Sequence, residues 1–296
     1  MICLTAHVVD VWQNPALFPH WLNAMRIAIL GGGTIARLFL EHIRRGDLGS
    51  GIEVAAICGR SAASGGVALA NEYAVPYVVG VDALIAAKPD VVVEAASHDA
   101  IREHLVNLLA ARIAVIVLSG GALVDDALRA AAERAAEESG ALMYVPSGGI
   151  GSLDALKAAC IAGVDEVTIQ VAKPPAAWEK IEFVERMGVD LDALREARVL
   201  FEGSARDGVP HFPQNVNIAA VLSMAGIGFD RTRLRVVADP SLTHNTHTIR
   251  VRGASGIITI VLENVPAPQN PKTAWLACYS ALAALKQMNS RVRYGT

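Results

Sequence analysis

Three consecutive glycines near the start of the chain are the residues best suited to bind a phosphate group. Gly31, Gly32 and Gly33 follow residues 26–30, which have the pattern of a buried strand, and precede an apolar-periodic segment that opens with Thr34 and Ile35. The first glycine permits a tight turn, the third lets the backbone approach a pyrophosphate, and the small Ala36 allows close packing of helix on strand. The first amides of the helix would hold the phosphates. We therefore predict a dinucleotide site contacted by Gly31, Gly33, Thr34 and Ile35.

The segment after the second predicted strand bears on which dinucleotide binds. An acidic residue commonly contacts the adenosine ribose at this place, but here Gly59, Arg60 and Ser61 follow the strand. No carboxylate repels a 2′-phosphate, and Arg60 and Ser61 offer it a guanidinium and a hydroxyl. The cofactor is predicted to be NAD or NADP, with NADP acceptance favoured; the alternative is that Arg60 is only a solvated loop residue.

Two further loops follow buried strands of the same predicted sheet. Residues 95–98 contain Ala96, Ser97 and His98, and residues 119–122 begin with Ser119 and Gly120. Ligands bind beyond the carboxyl ends of strands in such sheets, so Ala96, Ser97 and Gly120 are predicted to contact the cofactor. His98 is the weaker of two catalytic histidine candidates. Both loops could equally be ordinary turns.

The second candidate, His247, forms an HxxH pair with His244. The pair lacks the flanking residues of an HExxH site and lies where a loop enters a strand, so no metal site is predicted. From spacing alone His247 is either a hydrogen-bonded structural residue or a general acid or base. Four other polar residues are candidates for binding carboxylates, with surface or capping roles as the alternative, Thr273 being favoured as a helix cap: Lys173, Asn270, Lys272 and Thr273.

The elements that must position these residues alternate between strand and helix. Strands are predicted at residues 53–58, 78–79, 91–94, 114–118 and 142–145, with helices at 34–45, 100–111 and 125–139. After Pro146 come a helix at 154–162, strands at 167–172, 233–238, 246–252 and 257–263, and a last apolar helix at 273–288.

This order predicts an α/β fold: a Rossmann-type doubly wound parallel sheet with a second α+β substrate domain inserted before the C-terminal helix. The dinucleotide-binding domain is expected to span residues 25–146 and to be completed by 266–288, with the substrate domain at 147–265. Residues 1–24 are set apart because Met25 directly precedes the first strand. We expect either that translation starts at Met25 or that this extension is a loosely attached arm.

Composition excludes several classes of function. The net charge of −3 among 296 residues provides no broad basic field for nucleic acid, and the apolar runs are too short to span a bilayer. Four cysteines are widely scattered, which favours reduced thiols in a cytoplasm. There is no GxSxG elbow and no P-loop, so serine hydrolase and P-loop functions are disfavoured.

Five separated segments together carry a family resemblance: residues 144–156, 173–175, 212–217, 244–247 and 264–273. With these in view the chain resembles the L-aspartate dehydrogenases from Met25 to about Met288. The resemblance implies oxidation of L-aspartate to iminoaspartate with NAD or NADP, the imine feeding pyridine nucleotide biosynthesis or hydrolysing to oxaloacetate and ammonia. It also implies a homodimer, His247 as the active-site residue, and cofactor contacts from Asn217 and the Gly151 region.

The chain departs from the family pattern at Gly151, where relatives often have alanine, and in lacking the acidic residue after the second strand. These departures affect cofactor preference more than reaction type. Three alternatives stay open: a related two-domain reductase like homoserine dehydrogenase or dihydrodipicolinate reductase, a non-enzymatic dinucleotide-sensing protein, and a structural module with an empty glycine turn.

Overall fold

The computed structural model describes residues 24–213, 215–267 and 270–294. The predicted extension therefore lies outside the described residues except for Ala24. The side chains of Asn270, Lys272 and Thr273, three of the carboxylate-binding candidates, are also outside the described part.

The first half of the chain builds a six-stranded parallel sheet. Its strands are β1 (Met25–Leu30), β2 (Ile52–Gly59), β3 (Tyr77–Val79), β4 (Val91–Glu94), β5 (Ala114–Val117) and β6 (Met143–Tyr144). They lie in the order β3-β2-β1-β4-β5-β6. The central strands are nearly continuous apolar runs because helices cover the sheet on both faces.

Five helices connect these strands: α1 (Thr34–Arg45), α2 (Gly66–Tyr73), α3 (Val81–Ala86), α4 (His98–Ala110) and α5 (Asp126–Ser139). A 3-10 turn at Gly120–Val124 separates β5 from α5. Apolar residues of α1 and α2 pack on one face of the sheet, and those of α4 and α5 pack on the other.

The second half builds a mixed five-stranded sheet. Its strands are β7 (Val164–Lys173), β8 (Arg198–Ser204), β9 (Thr232–Ala238), β10 (Asn245–Gly253) and β11 (Gly256–Asn264), in the order β11-β10-β7-β9-β8. Only β7 and β9 are parallel neighbours. Helices α6 (Leu153–Ala162), α7 (Glu182–Arg186), α8 (Ala205–Gly208) and α9 (Asn217–Ala225) accompany it, and one apolar core joins α6 and α9 to the sheet.

The chain then returns to the first sheet. Strands β12 (Pro266–Ala267) and β13 (Asn270–Ala274) form a small hairpin, and α10 (Trp275–Met288) follows. Ala281, Leu282 and Leu285 of α10 lie in the same apolar cluster as β1. The helix begins at Trp275 with Ala274 as its N-cap, so the prediction that Thr273 caps it is wrong; β13 continues through Thr273 and delays the helix.

The predicted fold class is confirmed by the six-stranded parallel sheet and the second mixed sheet. The residue boundaries of the two domains stay a prediction. The sequence patterns do not predict the helices α2, α3, α7, α8 and α9 or the strands β8, β12 and β13. Among the described residues, no helix combines the length and the apolar character needed to cross a bilayer.

Candidate active site

A cleft of about 820 Å³ lies where the carboxyl ends of β1, β4, β5 and β6 face the second sheet. Parallel sheets of this order place ligands at this edge, where the strand order reverses beside β1. Its walls come from six stretches of chain and six further residues. The lining residues are 33–35, 95–99, 118–119, 146, 148–149, 215, 217–218, 221, 274 and 277–278, with Arg102, Lys173, Pro210, Pro213, Asn245 and His247.

The glycine turn has the shape that a pyrophosphate requires. Gly31 has a φ of +114°, and a Cβ on it would stand 2.5 Å from the carbonyl oxygen of Ala95, so only glycine fits. A Cβ on Gly33 would instead meet no described atom within 4 Å. Gly33 is the N-cap of α1 and provides no side-chain cap, which leaves the first amides of the helix available to a ligand.

Glu94 organises the two loops that follow β4 and β5. Its carboxylate is fully buried and accepts hydrogen bonds from Ala96 N (2.9 Å), Leu118 N (3.1 Å), Ser119 N (2.8 Å) and Ser119 Oγ (2.9 Å). Burial raises the pKa of the Glu94 carboxyl, and the four donors, which favour the ionised form, limit that rise. Sequence reasoning placed Glu94 in a strand and missed this role.

Asn217, the first residue of α9, links the second half of the chain to the loops of the parallel sheet. Its Oδ1 accepts from the Gly121 amide at 3.1 Å and lies 2.8 Å from Nε2 of His98. Because an amide oxygen only accepts, Nε2 of His98 carries the proton. Burial lowers the pKa of His98, so the ring is held neutral. His98 thus fixes Asn217 beside the cleft.

His247 lies at the floor of the cleft with only 2% of its surface exposed. Its Nδ1 is 3.0 Å from the carbonyl oxygen of Gly149, which also accepts a hydrogen bond of 2.9 Å from Nδ2 of Asn264. Because a carbonyl oxygen only accepts, Nδ1 donates to it in the tautomer that puts the lone pair on Nε2. Nδ2 of Asn264 lies 3.1 Å from Nδ1 and in this tautomer donates to the same carbonyl and not to the ring. Within the described part of the chain, Nε2 has no hydrogen-bond partner.

The electrostatic surroundings keep this imidazole neutral. Burial, reinforced by the positive charge of Lys173 and opposed by the Gly149 hydrogen bond, lowers the pKa of His247 to about 4. At neutral pH the ring presents a buried, unprotonated nitrogen to the cleft. That is the form in which a histidine accepts a proton.

The structure brings most, but not all, of the predicted site residues to this cleft. Seven line it: Gly33, Thr34, Ile35, Ala96, Ser97, Asn217 and His247. Gly31 and Gly120 do not line the cleft. Gly31 lies against the backbone of Ala95, and Gly120 packs against Val145 and Val221. Gly151 lies just beyond the cleft wall formed by Gly148 and Gly149. Whether each residue binds a ligand stays a prediction.

Arg60 and Ser61, the predicted 2′-phosphate contacts, lie on the exposed loop after β2 and not in the cleft. The phenol of Tyr77 donates a hydrogen bond of 2.8 Å to the Ser61 carbonyl and pins this loop. The two histidines of the HxxH pair lie in different environments, since His244 is exposed while His247 is buried. No group of three or more potential metal ligands occurs in the described ranges.

Two family models match the chain in succession. One described as "Homoserine dehydrogenase, NAD binding domain" matches residues 31–146, and one described as "Aspartate dehydrogenase, C-terminal" matches residues 154–288. The first covers the parallel sheet except for β1, and the second covers the mixed sheet and α10.

Whole-chain relatives agree with the second match. The chain is 44% identical to L-aspartate dehydrogenase 2 of Bordetella pertussis over 91% of its own length and 99% of the relative's. It is 38% identical to the L-aspartate dehydrogenase of Methanosarcina mazei over 92% and 100%. The crystal structure of aspartate dehydrogenase from Thermotoga maritima superposes with a TM-score of 0.70 at 28% identity, covering 92% of this chain and all of that one.

Proposed function

The chain belongs to the L-aspartate dehydrogenase family, and we propose that it oxidises L-aspartate to iminoaspartate with His247 as general base. The observation that carries this role is the buried, unprotonated Nε2 of His247, which faces the cleft without a protein partner among the described residues. A buried acceptor of this kind fits a substrate ammonium group.

The cleft fits a nicotinamide dinucleotide. The open space over Gly33 and the uncapped start of α1 suit the pyrophosphate, and the loops around Ala96 and Ser119 suit the nicotinamide end. The bound nicotinamide supplies the hydride acceptor. Arg60 and Ser61 on the exposed loop suit a 2′-phosphate, and we propose that NADP is accepted as well as NAD.

Proton transfer from the substrate is the step that the chain's own residues perform. A hydride leaves the amine-bearing carbon only when the nitrogen lone pair is free to form the C=N bond, so the ammonium must first lose a proton to Nε2 of His247. An imidazole with a pKa of about 4 is a weak base before the substrate arrives. The two carboxylates of aspartate bring negative charge next to the ring and favour its protonated form.

The same histidine serves the hydrolysis of the product. Nε2 first releases its proton to solvent, and water then attacks the iminium carbon while Nε2 takes the proton that the water loses. Nε2 passes this proton to the amine nitrogen, the C–N bond breaks as the C=O bond forms, and ammonia leaves while the remaining hydroxyl proton returns to Nε2. The hydrogen bond from Nδ1 to Gly149, buttressed by Asn264, holds the ring in one orientation through both steps. The products are oxaloacetate and ammonia, unless the imine passes to pyridine nucleotide biosynthesis. We also propose a cytoplasmic homodimer, supported by the family resemblance.

The competing functions differ in what they predict. A homoserine dehydrogenase-like reductase would share the parallel sheet, but the second half of the chain, with His247 and Asn264, matches the aspartate dehydrogenase family model. A dinucleotide sensor predicts cofactor binding without amino-acid-dependent reduction.

The test follows the absorbance of the reduced nicotinamide when the purified protein is mixed with L-aspartate and either NAD or NADP. Glutamate, alanine, homoserine and D-aspartate are the controls. We expect reduction that is selective for L-aspartate, and oxidation of the reduced cofactor with oxaloacetate and ammonia. Thermal stabilisation by cofactor without turnover in either direction would contradict the proposal and favour a sensor.

A further inference from the structure

Buried polar side chains are concentrated at one corner of the cleft. Eight polar or charged residues are buried in the described part of the chain, and five of them meet here: Lys173, Asn215, Asn245, His247 and Asn264. Burying polar groups costs free energy unless they are paired, so a cluster of this size marks a place built for binding.

The sheet register explains why these residues meet. Thr246 of β10 pairs with Ala172 of β7, so the next residues along the two antiparallel strands, Asn245 and Lys173, lie opposite each other. Asn245 also pairs with Asn264 of β11. Residues two apart on a strand share a face, which places Asn245 and His247 side by side, roughly 7 Å apart along β10.

Asn245 presents an unused hydrogen-bond donor to the cleft. Its side chain is 1% exposed, and its Nδ2 has no partner among the described residues. Asn245 lines the cleft, whereas the neighbouring Thr246 does not; the Oγ1 of Thr246 is also buried and has no partner in the described part of the chain. A buried amide donor without an acceptor costs free energy, and an acceptor oxygen of a bound substrate would remove that cost.

Lys173 brings positive charge to the same corner. The residue is 2% exposed, lines the cleft, and its Nζ donates to the main-chain oxygen of Asn215 at 3.3 Å and to its Oδ1 at 2.9 Å. Nζ also stands 5.1 Å from the centre of the Trp178 ring. These contacts hold the ammonium group at the cleft wall, where its positive charge can attract a bound anion.

We propose that Asn245 and Lys173 form a carboxylate-binding subsite, which holds one carboxylate of the substrate while His247 Nε2 faces its amine. The subsite rests on the proposed function for the identity of its ligand, but its recognition of a carboxylate does not require turnover. It explains how a cleft of this size selects a small acidic amino acid: the anion is fixed next to the proton acceptor, with the reacting carbon between them.

The kinetic test compares Asn245→Ala, Asn245→Asp and the matched control Thr246→Val, which removes a buried unpartnered hydroxyl from the same strand outside the cleft. We expect Asn245→Ala to raise the KM for L-aspartate by roughly tenfold or more, the effect of losing a hydrogen bond to a charged group. Asn245→Asp keeps the shape but repels a carboxylate, so it should raise KM further. The KM for the cofactor should stay within about twofold of the wild type, because Asn245 is placed at the carboxylate and not at the cofactor.

A binding test separates this subsite from the proposed reaction. Succinate, which has both carboxylates of aspartate but no amine, is titrated into each variant in saturating NAD and followed by calorimetry. Binding to the wild type and Thr246→Val with loss in Asn245→Asp supports the subsite even if no turnover occurs. Equal succinate affinity and equal KM in all variants would overturn it.

Discussion

The Glu94 carboxylate binds Ser119 twice, accepting the Ser119 amide on Oε2 at 2.8 Å and its hydroxyl on Oε1 at 2.9 Å. The two residues end neighbouring strands, and the same carboxylate also accepts the Ala96 amide. One buried side chain therefore fixes the spacing of two loops that line the cleft, at the end where we propose that the nicotinamide binds. Four donors meet the two carboxylate oxygens, an arrangement that the ionised form satisfies and that a neutral amide, with only one accepting oxygen, does not.

Glu94→Gln is expected to loosen both loops. The glutamine NH₂ group cannot accept, so at least one of the four donors loses its partner, at a cost of about 1–3 kcal/mol in unfolding free energy. Because Ala96 and Ser119 line the cleft, cofactor affinity should fall as well. Thermal unfolding and a cofactor titration measure the two effects.

The matched control is Glu53→Gln, which removes a carboxylate that pairs with Arg26 at an exposed position of β2. Exposed ion pairs contribute little, so this variant should lie within about 1 kcal/mol of the wild type. If Glu94→Gln behaved like Glu53→Gln in both measurements, Glu94 would not organise the loops.

Gly33→Ala tests the pyrophosphate position without disturbing the fold. Gly33 has a φ of −93°, which alanine adopts, and its Cβ would enter open space. We expect unchanged thermal stability. The affinity for both NAD and NADP should fall by roughly tenfold or more, since the methyl group occupies space that the pyrophosphate needs. Gly31→Ala should instead destabilise the protein, because its φ is +114° and its Cβ would collide with Ala95. Normal cofactor affinity in Gly33→Ala would place the pyrophosphate elsewhere.

Arg60→Ala tests cofactor selectivity. If the Arg60 guanidinium receives the 2′-phosphate, its removal should raise the KM for NADP by about tenfold or more and leave the KM for NAD within about twofold. Arg198→Ala, which removes an exposed arginine from β8, is the control and should change neither constant. Parallel changes in both constants, or no change in either, would remove the assignment of Arg60.

Local sequence patterns predicted the elements in which the spacing of apolar residues clearly indicated a helix or a strand. The bounds of α1 agree with the prediction because an apolar strand, a glycine turn and an amphipathic helix follow one another without ambiguity. Helix α9 was missed because six of its nine residues are buried and none is exposed, so it has no solvated polar face to reveal the helical period. Strand β8 was missed at the edge of the mixed sheet, where its partner β9 is distant in the chain.

The site required contacts that no local pattern encodes. The histidine His247 and the segment around Asn245 were identified through family motifs, but their adjacency to Lys173 depends on the register of β10 against β7. Glu94 was read as a strand residue because its partners Leu118 and Ser119 lie 24 and 25 residues further along the chain. The role of Glu94 becomes visible only in the folded sheet, which brings the loops after β4 and β5 together.

The depressed pKa of His247 makes a prediction about stability as a function of pH. In the unfolded chain the ring titrates near 6.5, whereas in the folded protein it titrates at about 4. Above pH 6.5 both states are neutral and His247 adds no pH dependence. Between pH 6.5 and 4 the unfolded state takes up a proton that the folded state excludes, so stability falls as the pH falls.

His247→Asn removes this titration while offering an amide donor to the Gly149 carbonyl in place of Nδ1. Across the window from pH 6.5 to 4, the wild type should lose about 3 kcal/mol more unfolding free energy than the variant, the equivalent of the shift in pKa. Denaturant unfolding at a series of pH values measures the difference, and the other titrating groups cancel because both proteins share them. The variant should also bind cofactor but lack turnover. Parallel stability curves would show that His247 titrates normally in the folded protein, and turnover close to that of the wild type would exclude it as the base.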